Sequence, residues 1–478
     1  MNHQSPVFAV VGHPNKGKSS IVATLSQNDA IAIALEPGTT RRQQHYPMTV
    51  DQQLLYTLVD TPGFQRPRRV LQWLEAHSVS ASDRPDTVRA FVREHDGDAR
   101  FVDECELLKP IVEGAGIIYV VDGSVPYSAE HEAEMAILRW TGRPSLALIN
   151  SIGDDDYSDT WQAALGQFFQ IVRKFDAVRA PFEQHLSLLR AFGQLEPTWE
   201  QPLQQAVEYL ASQREHRQHQ AATLIADALV DMMSRQETRT LTEHPPTGDQ
   251  KALENSLRER WYQHQRQREQ TLRTAIETLY QHQRIQRQEA ELEWHSEHDL
   301  FSESSRRAWG VSKGYLATAG FGAGAVSGAG IDALTFGSSM GAGALLGGLA
   351  GAVGSYLYGD RLTLPTLRIG PLKNGLKTAR FGPVQDPQFG YVVLGRAVNH
   401  WWHIAMRNHA GRELLELEPT DQHWLEGLDK SHRRSIQRTL DKCRKQRQPD
   451  QRQRQNLINA IEQAMKVYEQ WRLNNTAS

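Results

Sequence analysis

The sequence predicts an N-terminal α/β domain built around a phosphate-binding loop, followed by a mostly α-helical C-terminal domain. Two observations predict the first domain: a glycine-rich loop follows the apolar run Val7–Val11, and a second apolar run, Leu54–Val59, ends in an aspartate. Continuous apolar, β-branched runs are typical of parallel strands that are covered on both faces. A third observation predicts the helical domain, because charged, glutamine-rich segments with helical spacing of apolar residues follow residue 180.

The loop at residues 12–19, GHPNKGKS, has the pattern G-x-x-x-x-G-K-[ST]. Its glycines allow the backbone N–H groups to face a phosphate, and the positive end of the following helix points to the same anion. Lys18 supplies a charge to the terminal phosphates, and the Ser19 hydroxyl is a ligand for Mg²⁺. A chance glycine-rich turn is the alternative, but the strand before the loop and the helix after it favour the phosphate site.

Two further motifs have the chemistry of a nucleotide site. Asp60 follows the second apolar run, where its carboxylate can hold the water shell of Mg²⁺, and Gly63 allows a backbone N–H to reach the terminal phosphate. In EPGTTRR, residues 36–42, a threonine can add a hydroxyl to Mg²⁺ while the terminal phosphate is present. We prefer Thr40 to Thr39 for this role, and an ordinary loop threonine is the alternative. We therefore expect the reacting phosphate to be contacted by Lys18, Thr40 and Gly63, and the metal ion by Ser19, Thr40 and Asp60.

Together, the loop at residues 12–19, the segment Pro37–Arg41 and the segment Asp60–Gly63 resemble the Era/TrmE/EngA group of bacterial P-loop GTPases. The resemblance covers about the first 180 residues, and the whole chain also resembles a subfamily that adds a C-terminal domain of unknown function. It implies an α/β P-loop NTPase fold, the G domain, that binds GTP with Mg²⁺ and acts as a conformational switch. It also implies that the loop residues at the nucleotide are Gly12, Asn15, Lys16, Gly17, Lys18, Ser19 and Ser20.

Two details follow from this resemblance. Asn15 stands where members of the group that use K⁺ carry an asparagine ligand for the ion, although a loop asparagine that stabilises a turn is an equal alternative. Phe64 stands where Ras-like enzymes keep a glutamine that positions water. A phenyl ring cannot orient water, so we expect slow intrinsic hydrolysis unless another group or a partner in a homodimer assists.

The guanine-binding end departs from the pattern of the group, which is N-K-x-D. Here Ser151 follows Asn150 in place of the lysine, and the carboxylate comes one residue late as Asp154, with Asp155 as the fallback. The lost lysine removes packing over the base and a contact with the phosphate loop, so ATP hydrolysis is an alternative function. Asp176–Ala177 stands where the group has a small-residue loop behind the base.

A helical insert is predicted at about residues 65–112, between Gly63 and the strand that begins at Gly116. Apolar residues with helical spacing occur in both PRRVLQWLEAHS and DTVRAFVREH. The insert directly follows the segment that senses the terminal phosphate, so it is well placed to transmit the nucleotide state to a partner protein. A helical insertion without a function is the alternative.

Beyond residue 180 we predict a helical region at 181–310 that contains a long polar helix. Leu253, Leu257 and Trp261 form a narrow apolar stripe on this helix, which favours a coiled coil or an antiparallel pair over a core helix. The histidines of this region, such as His264 and His282, are predicted to be solvated and not metal ligands.

The segment 311–360 is predicted to form a glycine-rich helical hairpin, because Gly314–Gly359 is almost entirely small or apolar. Glycines at four-residue spacing allow two helices to touch, and each half is close to the length that spans a bilayer. Membrane contact and a tight hairpin buried within a soluble domain are the two alternatives.

The last segment, 361–478, is predicted to contain a small β element and basic helices. Short strands are expected in RLTLPTLRIGPLKNG and in FGYVVLGRAVNHWWHIAMR. The basic stretch Lys430–Arg454 has the charge to contact anionic lipid or RNA, although a solvated helix face is the commoner explanation.

Charge and cysteine content narrow the class of protein. The net charge of −3 indicates no global attraction to nucleic acid. Cys105 and Cys443 are the only two cysteines, which excludes a disulfide framework and fits a reducing compartment. No signal peptide is recognised at the N-terminus, so we expect a cytoplasmic protein, with the inner face of the cell membrane as an alternative location. The sequence does not identify a protein partner.

Overall fold

The computed structural model describes residues 5–26, 42–50, 53–153, 155–177, 180–243, 245–280, 365–372, 376–406 and 422–475. The chain divides into two compact units, of which unit 1 is Met1–Arg214 with Met406–Glu413, and unit 2 is Glu215–Ala405 with Leu414–Ser478. The described residues confirm an α/β domain followed by a mostly helical region with a small sheet.

Unit 1 contains a six-stranded sheet with the order β2-β3-β1-β4-β5-β6. Only β2 runs antiparallel to its neighbour, and the other pairings are parallel. The strands are β1 (Val7–Val11), β2 (Gln44–Val50), β3 (Gln53–Asp60), β4 (Gly116–Asp122), β5 (Ser145–Asn150) and β6 (Ile171–Lys174).

Helices cover both faces of this sheet, which explains the continuous apolar strands. Phe8 and Val10 of β1 belong to one buried cluster, whereas Ala9 and Val11 belong to the cluster on the opposite face. Successive side chains of a strand point to opposite faces, so both sets must be apolar. The helices of unit 1 are α1 (Lys18–Ser26), α2 (Pro67–His77), α3 (Arg84–Glu94), α4 (Val102–Val112), α5 (Ala129–Trp140), α6 (Ser158–Leu165), α7 (Phe182–Gly193) and the first part of α8 (Pro197–Ser234).

The insert between β3 and β4 is helical, as predicted, and consists of α2, α3 and α4. Val70, Leu74, Val88 and Phe91 are fully buried in the cluster on one face of the sheet. The insert is therefore part of the core of unit 1.

Unit 2 contains nine described helices and strands, including the last part of α8. A three-stranded antiparallel sheet has the order β7-β9-β8, and it packs with helices around one apolar core. The remaining elements are β7 (Glu237–Leu241), α9 (Thr247–Leu279), β8 (Leu367–Pro371), β9 (Lys377–Phe381), α10 (Pro387–Met406), a 3₁₀ helix (Gln422–Gly427), α11 (Lys430–Arg444) and α12 (Gln451–Asn475).

Two secondary-structure predictions for this unit were wrong. FGYVVLGRAVNHWWHIAMR does not form strands, because all but its last residue lie in helix α10. This helix is buried on nearly all sides, so its β-branched and aromatic residues gave an apolar run that resembles a strand. Strand β7 lies in the region predicted to be helical, and its pairing with β9, more than a hundred residues later in the chain, stabilises it.

The coiled-coil prediction for α9 was also wrong. Leu253, Leu257 and Trp261 are buried in the core of unit 2 together with Leu272 and Ile276. The apolar stripe is narrow although the buried side of α9 is wide, because that side also carries polar groups such as Gln265 and Glu269.

Histidine His264 is half-buried, contrary to the prediction that it is solvated. Its Nε2 lies 3.8 Å from Asp231 Oδ2, and burial lowers its pKa. His282 and the glycine-rich segment Gly314–Gly359 lie outside the described residues. Within the described parts of the chain, no helix is both long enough and apolar enough to cross a membrane.

The basic stretch predicted at 430–454 forms α11 and the beginning of α12. Some of its charges are neutralised within unit 2, since Arg444 pairs with Asp441 at 2.6 Å and Arg454 pairs with Asp227 at 2.6 Å. A set of exposed basic side chains lies on successive turns of α11: Lys430, Arg434 and Arg438.

Buried charged groups lie between α9 and α10. Glu269 Oε1 accepts a hydrogen bond from Arg396 Nε at 2.7 Å and lies 3.4 Å from Arg273 Nη2. Burial alone would raise the pKa of Glu269, but the two guanidinium groups hold it at about 2. Nearby, His400 is only 1% exposed, and its Nε2 lies 3.6 Å from Glu277 Oε1. Burial, followed by the charge of Arg273, lowers the pKa of His400 to about 3.

We expect His400 to make the stability of the protein sensitive to acid. Histidine has an ordinary pKa of about 6.5, so the lowered folded-state value stabilises the fold above that pH. This contribution is lost as the pH falls from about 6.5 toward 3, at up to about 1.4 kcal/mol per pH unit. Urea unfolding between pH 7.5 and 5 should show a smaller decline for His400→Gln than for the wild type. His403, whose pKa burial and Arg472 lower to about 4, contributes in the same direction and remains in the variant.

The matched control is His216→Gln, since His216 is an exposed histidine of α8 in the same unit. This control should keep the wild-type pH dependence. An unchanged pH dependence in His400→Gln would show that His400 is not the sensitive group.

Candidate nucleotide-binding site

The candidate site lies at the carboxyl ends of the parallel strands in unit 1. In the sheet, Val10 pairs with Asp60, and Asp122 pairs with Asn150. The loop at residues 12–19 leaves β1 at the same edge and leads into α1. This edge is where ligands bind in open α/β sheets.

Two loop glycines are required by close contacts. A Cβ atom on Gly12 would lie 2.3 Å from the backbone oxygen of Val120, and one on Gly17 would lie 2.2 Å from Asn150 Nδ2. Both glycines have positive φ angles, +145° and +81°, which other residues rarely adopt. The loop therefore lies directly against β4 and against the end of β5.

The Lys18 side chain curls back along the loop. Its Nζ donates hydrogen bonds to the backbone oxygens of Gly12 at 3.2 Å and His13 at 3.0 Å. Burial lowers the pKa of Lys18 to about 8, while the charges of Asp60 and Glu134 oppose the decrease. The ammonium group is thus held against the loop carbonyls, and a phosphate bound in the loop would add a counter-charge.

Ser19 and Asp60 lie in direct contact. Ser19 Oγ donates a hydrogen bond to Asp60 Oδ2 at 2.8 Å, and Asp60 is 3% exposed. A hydroxyl and a carboxylate are hard oxygen donors of the kind that Mg²⁺ prefers, and Mg²⁺ usually keeps several waters beside one or two protein ligands. These residues therefore fit a Mg²⁺ ion. Thr40 lies outside the described residues.

Gly63 packs on the phosphate loop. A Cβ atom on Gly63 would lie 2.6 Å from the backbone nitrogen of Pro14, so no side chain fits at this position. The backbone N–H of Phe64 donates to Gly12 O at 3.4 Å, and the phenyl ring is fully buried in the core. Phe64 therefore faces away from any attacking water.

Asn150 joins the phosphate loop to the loop after β6. Its Nδ2 donates to Lys16 O at 3.4 Å, and its Oδ1 accepts from the backbone N–H of Ala177 at 3.1 Å. Thr24 Oγ of α1 donates to Ala177 O at 2.7 Å. Asn150 thus positions both loops, while Asp176 is half-buried next to Ala177.

The remaining predicted residues have less defined positions. Asn15 is exposed with φ +61°, a left-handed conformation that asparagine tolerates and that fits the turn alternative. Ser20 is partly exposed in the first turn of α1, and Asp155 is exposed. Asp154 lies outside the described residues.

The sequence analysis did not predict the carboxylates that bond to side chains of the phosphate loop. Glu134 of α5 is fully buried; its Oε1 accepts from His13 Nδ1 at 2.8 Å and its Oε2 accepts from Tyr119 OH at 2.8 Å. Lys16 Nζ also lies 3.4 Å from Asp122 Oδ2. Helical spacing places Glu134 on the apolar side of α5 that carries Met135 and Leu138. This position was the one feature of the sequence that could have predicted its burial.

Family models match both parts of the chain. Residues 162–463 match the model described as "Domain of unknown function (DUF3482)", which is well over half of the sequence. The chain belongs to the DUF3482 family. Residues 7–150 of this DUF3482 protein match the model described as "50S ribosome-binding GTPase", and the N-terminal domain is a P-loop G domain.

Curated relatives match limited stretches of this DUF3482 protein. GTPase Der of Lactobacillus helveticus is 41% identical over 85 residues, which is 17% of this chain and 19% of that protein. GTPase Der of Myxococcus xanthus is 30% identical over 166 residues, which is 35% of this chain and 30% of that protein. The chain thus spans less than a third of the length of these relatives.

Solved structures show weaker similarity. A variant of Aquifex aeolicus Era bound to GDP·AlF4⁻ is 15% identical, with a TM-score of 0.28 over 51% of this chain and 75% of that one. An S. thermophilus NFeoB variant bound to GMPPNP is 17% identical, with a TM-score of 0.26 over 38% of this chain and 60% of that one.

We expect Asn150→Ala to destabilise unit 1 and to weaken nucleotide binding. The change leaves the buried N–H of Ala177 and the carbonyl of Lys16 without their side-chain partner, which costs about 1–3 kcal/mol. Urea unfolding and titration with a fluorescent guanine nucleotide measure the two effects. The control is Gln162→Ala, since Gln162 is an exposed amide residue of α6 in the same unit, and this variant should behave like the wild type. Wild-type stability in Asn150→Ala would contradict the role of Asn150.

Proposed function

We propose that the N-terminal domain binds GTP with Mg²⁺ and hydrolyses it as a conformational switch. The observation that carries this proposal is the convergence of Lys18, the Ser19–Asp60 pair and Asn150 at one edge of the sheet. These groups come from the loop at residues 12–19, the end of β3 and the end of β5, and together they provide a phosphate cation, a metal site and a support for the base-binding loops.

In this proposal each side chain has one task. Lys18 moves from the loop carbonyls to the terminal phosphates, and the backbone N–H of Gly63 binds the terminal phosphate. Ser19, Asp60 and Thr40 hold the metal ion or its waters. The Mg²⁺ ion would neutralise charge on the phosphates when bound. The segments around Thr40 and after Gly63 order in the GTP state and are released after hydrolysis.

We propose that intrinsic hydrolysis is slow. The buried Phe64 ring offers no group to orient water, so additional charge or a positioned water must come from elsewhere. A K⁺ ion held by Asn15 would supply such charge, and a second copy of the chain is the other source. Stimulation of turnover by K⁺ over Na⁺, lost in Asn15→Ala, would support the first.

Guanine is the proposed base. The Asn150 side chain bonds to the phosphate loop and to the loop that carries Asp176 and Ala177, and the relatives named Der are GTPases. The serine at position 151 weakens the base-binding pattern, so ATP remains the competing substrate.

Competition between GTP and ATP tests the substrate. We expect GTP, and not ATP, to displace a fluorescent GDP analogue from the full-length protein at comparable concentrations. Lys18→Ala should lower nucleotide affinity by about 10- to 100-fold, because a charge-assisted hydrogen bond is lost. Lys109→Ala, a lysine on the insert that pairs with Asp96, is the control and should bind normally. Equal displacement by ATP would contradict guanine specificity, and unchanged affinity in Lys18→Ala would contradict the site.

Two roles for the switch are proposed from the rest of the chain. The glycine-rich apolar sequence Gly314–Gly359 supports action at a membrane, and the exposed basic turns of α11 supply charge for anionic lipid. The alternative is association with RNA or the ribosome, supported by the same basic turns and by the ribosome-binding family model.

Flotation and sedimentation separate these roles. For membrane action, the full-length protein should float with liposomes that contain phosphatidylglycerol. The variant Gly324→Leu should float less, because bulk at a helix contact separates the helices. Co-sedimentation with ribosomes and no flotation would favour the alternative.

A further inference from the structure

Helix α4 carries two glutamates that accept hydrogen bonds from the backbone of two separate segments of unit 1. Glu104 is 1% exposed, and its Oε1 accepts hydrogen bonds from the backbone N–H groups of Gln65 at 3.1 Å and Arg66 at 2.6 Å. Glu106 Oε2 accepts from the backbone N–H of Gln43 at 3.3 Å. One helical turn therefore contacts two segments that are more than twenty residues apart in the chain.

These segments are the continuations of the two loops that are expected to sense the terminal phosphate. Gln65 follows Gly63 by two residues, and Gln43 follows Thr40 by three. Residues i and i+2 point to different sides of a helix, so α4 lies between the two segments. Arg66 adds a third contact, because its Nη1 donates to the backbone oxygen of Arg100 in the loop before α4, at 2.7 Å.

The Glu104 contact is a strong constraint on the backbone. A buried carboxylate must be surrounded by hydrogen-bond donors, and bonds to a charged acceptor are about twice as strong as neutral ones. The donors here are main-chain groups, so of the substitutions at positions 65 and 66 only proline would remove them. The position of the segment after Gly63 is therefore fixed relative to α4.

We propose that Glu104 is a positioning residue for recognition of the terminal phosphate, with Glu106 in a supporting role. Glu104 does not touch the nucleotide; it holds the segment that carries Gly63, while Glu106 holds the segment that continues from Thr40. The segments that follow both expected phosphate-sensing loops thus contact one helix, so the insert is placed to receive the nucleotide state. This inference rests on the proposed function of the G domain.

The test compares a triphosphate with a diphosphate. In the full-length protein, Glu104→Gln keeps the shape of the side chain but removes its charge and one acceptor. We expect GDP affinity to stay within about twofold, and affinity for the non-hydrolysable analogue GMPPNP to fall about tenfold, as for loss of a charged hydrogen bond. Amide exchange at residues 102–112 should differ between the GDP and GMPPNP states of the wild type, and this difference should disappear in the variant.

Two other variants make the result decisive. Glu94→Gln, an exposed glutamate at the end of α3, is the matched control and should keep the wild-type ratio of affinities. Glu106→Gln should lower the same ratio about threefold, since a longer, more exposed hydrogen bond is lost. If circular dichroism shows that Glu104→Gln does not fold, the affinity ratio of Glu106→Gln tests the inference instead.

Unchanged ratios in the folded variants would overturn the inference while leaving the proposed function intact. A wild-type protein that binds neither GDP nor GMPPNP would overturn both. An equal loss of affinity for GDP and GMPPNP in Glu104→Gln would also overturn the positioning role, because it would indicate general damage to the domain.

Discussion

The close approach of the phosphate loop to the parallel sheet is the constraint on which the rest of the site depends. Gly12 leaves no space for a side chain above the carbonyl of Val120, so the loop begins directly on β4. Because β1 lies between β3 and β4, the loop emerges in the middle of the sheet. The register of the strands then brings Asp60 beside the loop on one side and Asn150 on the other.

Side-chain hydrogen bonds connect the loops along this edge of the sheet. Asn150 bonds to two separate loops, Lys18 bonds to loop carbonyls, and Ser19 bonds to Asp60. Each is a polar group at a strand or helix end, where a buried group must find a partner. A phosphate or a metal ion would therefore enter an arrangement whose donors and acceptors already lie close to one another, which reduces the entropy lost on binding.

Buried carboxylates outside the site also need hydrogen-bond partners, and they fix the positions of the groups that they bind. Glu134 supports the loop through His13, and Glu104 fixes the backbone after Gly63. In unit 2, Glu269 binds two arginine side chains, Arg273 and Arg396. Buried charges of this kind add geometric specificity, because a misplaced donor leaves a desolvated charge without compensation.

Much of unit 1 could be predicted from the sequence, because its signals are local. The glycines and Lys18 of the loop, the apolar strands and the helical spacing of the insert each occur within a few residues. The predictions for β7 and for the apolar stripe on α9 were wrong because both structures depend on residues that are distant in the chain. Strand β7 exists because it pairs with β9, and the stripe on α9 is buried because α8 and α10 also contribute to the same core.

The sequence by itself determined the chemistry of the site and the order of its motifs. Only the tertiary structure decided which carboxylates support those motifs, since Glu104 and Glu134 come from helices that no local pattern connects to the loops. Their role depends on hydrogen bonds between residues that are far apart in the chain, and such contacts follow from the packing of helices on the sheet.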